Sequence, residues 1–139
     1  MNSYKITLKT VTQNMGETPL FYELTTIGDL ISMKNGSYKI RYNETTPEGA
    51  EFLNIVTAKG NGHAQVSRQG DYGTDFTLDM DKKHLCVVTT PFGELNLGVQ
   101  THAIKNSLTE NGGELYLKYT LDANNTFLSD NEVSLEITQ

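Results

Sequence analysis

Apolar and polar residues alternate along most of this 139-residue chain. Tyr4, Ile6 and Leu8 alternate with Lys5, Thr7 and Lys9, and Leu20, Tyr22 and Leu24 with Phe21, Glu23 and Thr25. Tyr38, Ile40 and Tyr42 repeat the pattern, as do Phe76, Leu78 and Met80. Near the C-terminus, Leu115, Leu117, Tyr119 and Leu121 and then Val133, Leu135 and Ile137 follow suit. Successive strand residues point to opposite faces, so period two predicts strands with one buried and one wet face. "HLCVV" (84–88) is apolar apart from its histidine, the pattern of a strand buried on both faces. No segment of a dozen residues keeps a 3.6 period, and only residues 80–85 and 101–110 leave room for a short helix.

Turn residues separate these runs. Asn-Gly occurs at Asn35-Gly36, Asn61-Gly62 and Asn111-Gly112, each between alternating segments. Asn-Gly favours the type I′ turn, whose twist matches antiparallel strands. "EFLNIVTAK" (51–59) is expected to pair with "HAQVSRQ" (63–69) across such a turn. "NETTPEGAE" (43–51) reads as a loop. In "TTPFGELNLGVQT" (89–101), Pro91 and Gly93 are expected to form a turn, and Leu95, Leu97, Val99 and Thr101 to face inward. The fold predicted is all-β: a single domain over 1–139, an antiparallel up-and-down β-barrel of about 8–10 strands.

Composition narrows the partners. The net charge is -6, and the densest basic spot is Lys82-Lys83. Phosphate backbones and anionic membranes select clustered cations, so neither nucleic acid nor membrane is an expected partner. Cys86 is the one cysteine, which excludes an internal disulfide and fits a reducing compartment. "MNSYKITLKT" has no apolar run of signal-peptide type, and the expected location is the cytoplasm.

The second half carries a resemblance. "VSRQG" (66–70), "TTPFGELNLGVQT" and "NGGELYLKYTLD" (111–122), with "ELTTIGDLISMKNGSYKIRYNET" (23–45), resemble in order and spacing the YwiB-like family of small bacterial proteins. The resemblance covers the chain from about Leu20 onward and implies a calycin (lipocalin-like) β-barrel. The family's members are uncharacterised, so it implies no activity. Val88 departs from the family pattern, which has a tyrosine there. The chain has no tryptophan, so the Gly-x-Trp hallmark of true lipocalins is absent and no lipocalin ligand is inferred.

Strand phase singles out Arg68, which shares the apolar side of its strand with Ala64 and Val66. An unpaired buried charge is costly, so an inward arginine needs a partner or an anion. Glu44 is in phase with Tyr38, Ile40 and Tyr42. One reading makes Arg68, Glu44, Tyr42 and Tyr119 a ligand-binding set; the other makes Arg68 and Glu44 a paired plug at one barrel end. His63, His84 and His102 lack metal-ligand spacing, and no metal or cofactor is assigned. His63 follows a turn and is expected to be exposed. His84 and Cys86 share a strand face, yet no third group completes a nucleophilic site, and Cys86 reads as a small buried hydrophobe. Asp79 and Asp81 are expected on one strand face, and they, Asp71, Asp75 and Asp122 read as turn residues. No phosphate loop or G-x-S-x-G occurs, and no residue is assigned as catalytic.

Three functions follow. The first is a non-catalytic barrel binding a small apolar or anionic ligand. The second is a structural or interaction protein with a packed interior, in which terminal strands pair with another copy to make a homodimer. The third, ranked last, is an enzyme using His84, Cys86 or the scattered acids.

Overall fold

A computed structural model describes residues 3–60, 62–70 and 72–139, so the expectations placed on Asn61 and Asp71 lie outside the described residues. Ten strands follow in chain order: β1 (Tyr4–Asn14), β2 (Leu20–Ser32), β3 (Tyr38–Thr45), β4 (Glu51–Lys59), β5 (His63–Gly70), β6 (Thr74–Asp79), β7 (His84–Thr90), β8 (Gly93–Asn106), β9 (Gly113–Ala123) and β10 (Thr126–Thr138). Among the described residues there is no helix. The segment 101–106 continues β8 through a bulge between Thr101 and Ala103. None of the described residues form a helix long and apolar enough to cross a membrane.

The strands make one antiparallel sheet in the order β6-β5-β4-β3-β2-β1-β10-β9-β8-β7. Each strand is hydrogen-bonded to its chain neighbour except β6 and β7, and β1 pairs with β10. The sheet curls into a nearly closed up-and-down barrel whose seam lies between two consecutive strands. The Thr89 amide donates to the Gly73 carbonyl across this seam at 3.0 Å. Gly28 lets β2 come close: a Cβ there would stand 2.4 Å from the Arg41 carbonyl oxygen and 2.6 Å from Ile6 Cδ1.

The turns differ from expectation in one respect. Asn35 and Asn111 do not have positive φ, and the glycine after each does, at 85° for Gly36 and 118° for Gly112. That is the pattern of a turn closed by a glycine bulge, not type I′. Among the described residues, the non-glycine pair with positive φ at both positions is Asn124-Asn125, at 52° and 66°, which joins β9 to β10. Asparagine tolerates this region because its short polar side chain bonds locally. Pro91 and Phe92 form the β7–β8 turn, with Gly93 at φ 118°. In the 43–51 segment the loop is residues 46–50, while 43–45 end β3 and Glu51 begins β4.

β7 corrects a further expectation. Cys86 faces the core, but Leu85 is 82% exposed and Val87 is exposed too. Among the described residues no second layer covers the barrel, so an apolar outward residue stays wet.

The interior is packed unevenly. The fully buried Ile6, Ile40, Leu78, Val99, Leu115, Leu117, Leu135 and Ile137 all sit in the half of the barrel that holds the chain termini and the β2–β3 turn, the lower half. Toward the other mouth the inward positions Leu24, Val66, Val88, Leu121, Ala123 and Val133 are only partly buried, as are Leu30, Tyr38 and Ile104 in the lower half.

Candidate functional site

The upper mouth gathers the residues singled out by strand phase. Cross-strand register sets them side by side: Tyr42 faces Asn54, Asn54 faces Arg68, and Glu44 faces Phe52. Glu44 is the hub. Its Oε1 accepts from Arg68 Nη2 at 3.2 Å and from Asn54 Nδ2 at 3.1 Å, and its Oε2 accepts from the Tyr22 hydroxyl at 2.7 Å. The Arg68 guanidinium lies 3.9 Å from the Phe52 ring centroid, a cation–π contact. Its Nε is enclosed and has no hydrogen-bond partner among the described residues.

Arg68 and Glu44 are thus paired, as the plug reading requires. The pair does not dry the mouth: the Arg68 side chain is 36% exposed and Tyr22, on an inward position of β2, is 40% exposed. An open depression of about 650 Å³ lies beside Arg68, walled by Phe52, Tyr72 and the 46–50 loop. Leu20, Phe92 and Leu95 stand exposed at the same end. Tyr42 and Tyr119 are buried beneath, with the Tyr119 ring 6.0 Å from that of Phe76. Burial pushes the Tyr119 hydroxyl up to about 12 and raises that of Tyr42 further. Burial and then the bond to Glu44 push Tyr22 up to about 12. All three stay neutral O–H donors at ordinary pH. Tyr22, Asn54 and Phe52 completed this set without being singled out by sequence. Tyr22 was legible as an inward position; its meeting with Glu44 lies beyond the last β2–β3 pair, Gly28 with Tyr42, so pairing register does not reveal it.

A second cluster lies at the opposite end of the barrel. His84 Nε2 stands 2.9 Å from Asp79 Oδ2, and His63 Nε2 stands 3.4 Å from Asp79 Oδ1. Asp79 is buried, and its backbone amide donates to Thr101 Oγ1 at 3.0 Å. The hydrogen bond with His84, then that from the Asp81 amide, holds the Asp79 carboxyl below the usual range. Asp79 ends β6 while Asp81 lies in the exposed bend beyond it, so the two do not share a strand face as expected. His63 is only partly exposed because it leans on Asp79. His84 and Cys86 both face inward, but among the described residues Cys86 makes no hydrogen bond with a histidine. His102 is elsewhere, bonded to Thr120 at 2.7 Å. Asp122 ion-pairs with Lys83 at 2.6 Å, and Asp75 accepts from Gln65.

The family described as a domain of unknown function, DUF1934, matches residues 6–135. The chain belongs to this family. Its structure is similar to the crystal structure of the ywiB protein from Bacillus subtilis, with a TM-score of 0.80 and 21% identity over 99% of this chain and 92% of that one. At this identity the likeness concerns the fold, and it agrees with the YwiB-like resemblance of the sequence. No curated protein matches the chain.

Proposed function

We propose that this chain is a non-catalytic, calycin-type barrel that takes a small ligand with an apolar body and an anionic or acceptor-bearing head through its upper mouth. The observation that carries this reading is the set of polar and apolar side chains that stay accessible at the upper mouth. Inward Tyr22 and Arg68 reach solvent there, and an open depression of about 650 Å³ lies beside Arg68. A small antiparallel barrel with room at one mouth has the dimensions of a single-ligand site. Glu44 uses one guanidinium N–H, so Arg68 keeps donors for an incoming acceptor. Leu20, Phe92 and Leu95 offer apolar contact around the rim. The outer-face depression lined by Lys9, Lys105, Glu114 and Glu136 is a weaker candidate, because its charges balance.

Native mass spectrometry of the protein purified from its own host tests this reading. A bound small molecule that is lost in Arg68→Met supports it. A ligand-free wild-type protein, or a ligand retained equally by Arg68→Met, counts against it. The same spectrum reads oligomeric state, and exposed Leu85 and Val87 on a strand at the seam favour self-association as the second reading. A dimer that reverts to monomer in Leu85→Lys would support that alternative.

A further inference from the structure

We propose that His63, Asp79 and Asp81 bind one divalent transition-metal ion at the lower end of the barrel, with His84 positioning Asp79 from behind. His63 and Asp79 are cross-strand partners on β5 and β6, so backbone register brings them together. One ligand atom from each of His63, Asp79 and Asp81 can be chosen so that all lie within 4.8 Å of one another. Ligands bonded to zinc at about 2.05 Å are about 3.4 Å apart in a tetrahedral site and about 2.9 Å apart in an octahedral one. The 3.4 Å between His63 Nε2 and Asp79 Oδ1 is already such an edge. Asp81 is exposed, so its side chain has room to turn toward the other two ligands.

The two oxygens of Asp79 have separate partners. Oδ2 meets His84 Nε2, which donates when that nitrogen carries the proton, while Oδ1 faces His63 and accepts from the Asp81 amide at 2.9 Å. Metal-ligating carboxylates are commonly held by outer hydrogen bonds of this kind.

Charge points the same way. Among the described residues no lysine or arginine ion-pairs with Asp79 or Asp81, and the neighbouring Lys83 is committed to Asp122. The cluster holds two carboxylates and lacks a cation. An imidazole nitrogen with two carboxylate oxygens suits zinc, cobalt or nickel ahead of calcium or magnesium, which take oxygen ligands. His63 is 39% exposed, which leaves a route in from solvent. The ion would tie β5 and the end of β6 to the bend that leads into β7, at the seam that has no ladder.

The test uses the full chain, free of any histidine tag and dialysed against a chelator. Zinc is titrated by calorimetry and cobalt by visible absorption. One equivalent is expected, with cobalt d–d bands and, at about a hundredfold excess over Kd, a rise in melting temperature of roughly 5–10 °C. His63→Ala and Asp81→Asn, both at solvent-accessible positions, should each weaken binding at least about tenfold, and His84→Gln by about 10–100-fold. His102→Ala should leave binding unchanged. Circular dichroism and a cooperative melt confirm that each variant folds. Zinc binding that survives both His63→Ala and Asp81→Asn, or several weak equivalents without a melting shift, would overturn the proposal and leave the cluster as an ion-pair clasp.

Discussion

His84 Nε2 lies 2.9 Å from Asp79 Oδ2 across the one seam of the barrel that has no backbone ladder. Side chains here do the closing that hydrogen-bonded strands do elsewhere. Asp79 also receives the Asp81 amide, and its own amide is held by Thr101 on β8. Leaving one partner of a buried polar network unsatisfied costs more than the bond itself contributes. Asp79→Asn should therefore lower the urea midpoint clearly, and Asp81→Asn, which keeps the backbone donor, much less. Equal midpoints in chelated buffer would show that the network does not close the seam.

The Arg68–Glu44 pair is half open to water, so its net worth is modest. A double-mutant cycle with Arg68→Met and Glu44→Gln should give a coupling of about 1 kcal/mol in urea unfolding. Coupling near zero would mean that Glu44 serves Tyr22 and Asn54 alone.

Gly28 meets the Arg41 backbone and Ile6 at distances no Cβ can occupy. Gly28→Ala forces β2 away from β3 or displaces Ile6 from the packed half. The expected loss is about 1–3 kcal/mol, read from the urea midpoint. The same substitution at Gly60, where nothing lies within 4 Å of the added carbon, should change stability far less.

The Lys83–Asp122 pair predicts a pH dependence. Its hydrogen bond from Lys83 holds the Asp122 carboxyl below the usual range. A carboxyl depressed in the folded state contributes stability that is present above its unfolded pKa. That contribution disappears as pH falls through the folded value. Melting temperature should thus fall on the acid side of the ordinary carboxylate range, and Lys83→Met should flatten that part of the profile. An unchanged profile in Lys83→Met would assign the acid loss to other groups.

Much of this protein was legible from one dimension. Alternation named Ile6, Ile40, Leu78, Leu117 and Ile137 as interior, and it put Arg68 and Glu44 on the same side of the sheet as the core. Pro91 with Gly93 marked a turn that the fold contains. These are local properties: a strand turns each residue over in sequence, and a proline or glycine acts on its own dihedral angles. Other features were not legible. The apolar run 84–88 could not say that nothing covers Leu85. Asn-Gly pairs suggested type I′ turns, while Asn124-Asn125 supplied the positive φ angles instead. The Asp79 cluster joins β5, β6, the bend and β7, and spacing along the chain carries no sign of it. Sequence alone determined which side of each strand is apolar, because that depends on neighbours two residues away. Tertiary structure decided where the barrel fails to close and which charges meet, because register and curvature are set by all the strands at once.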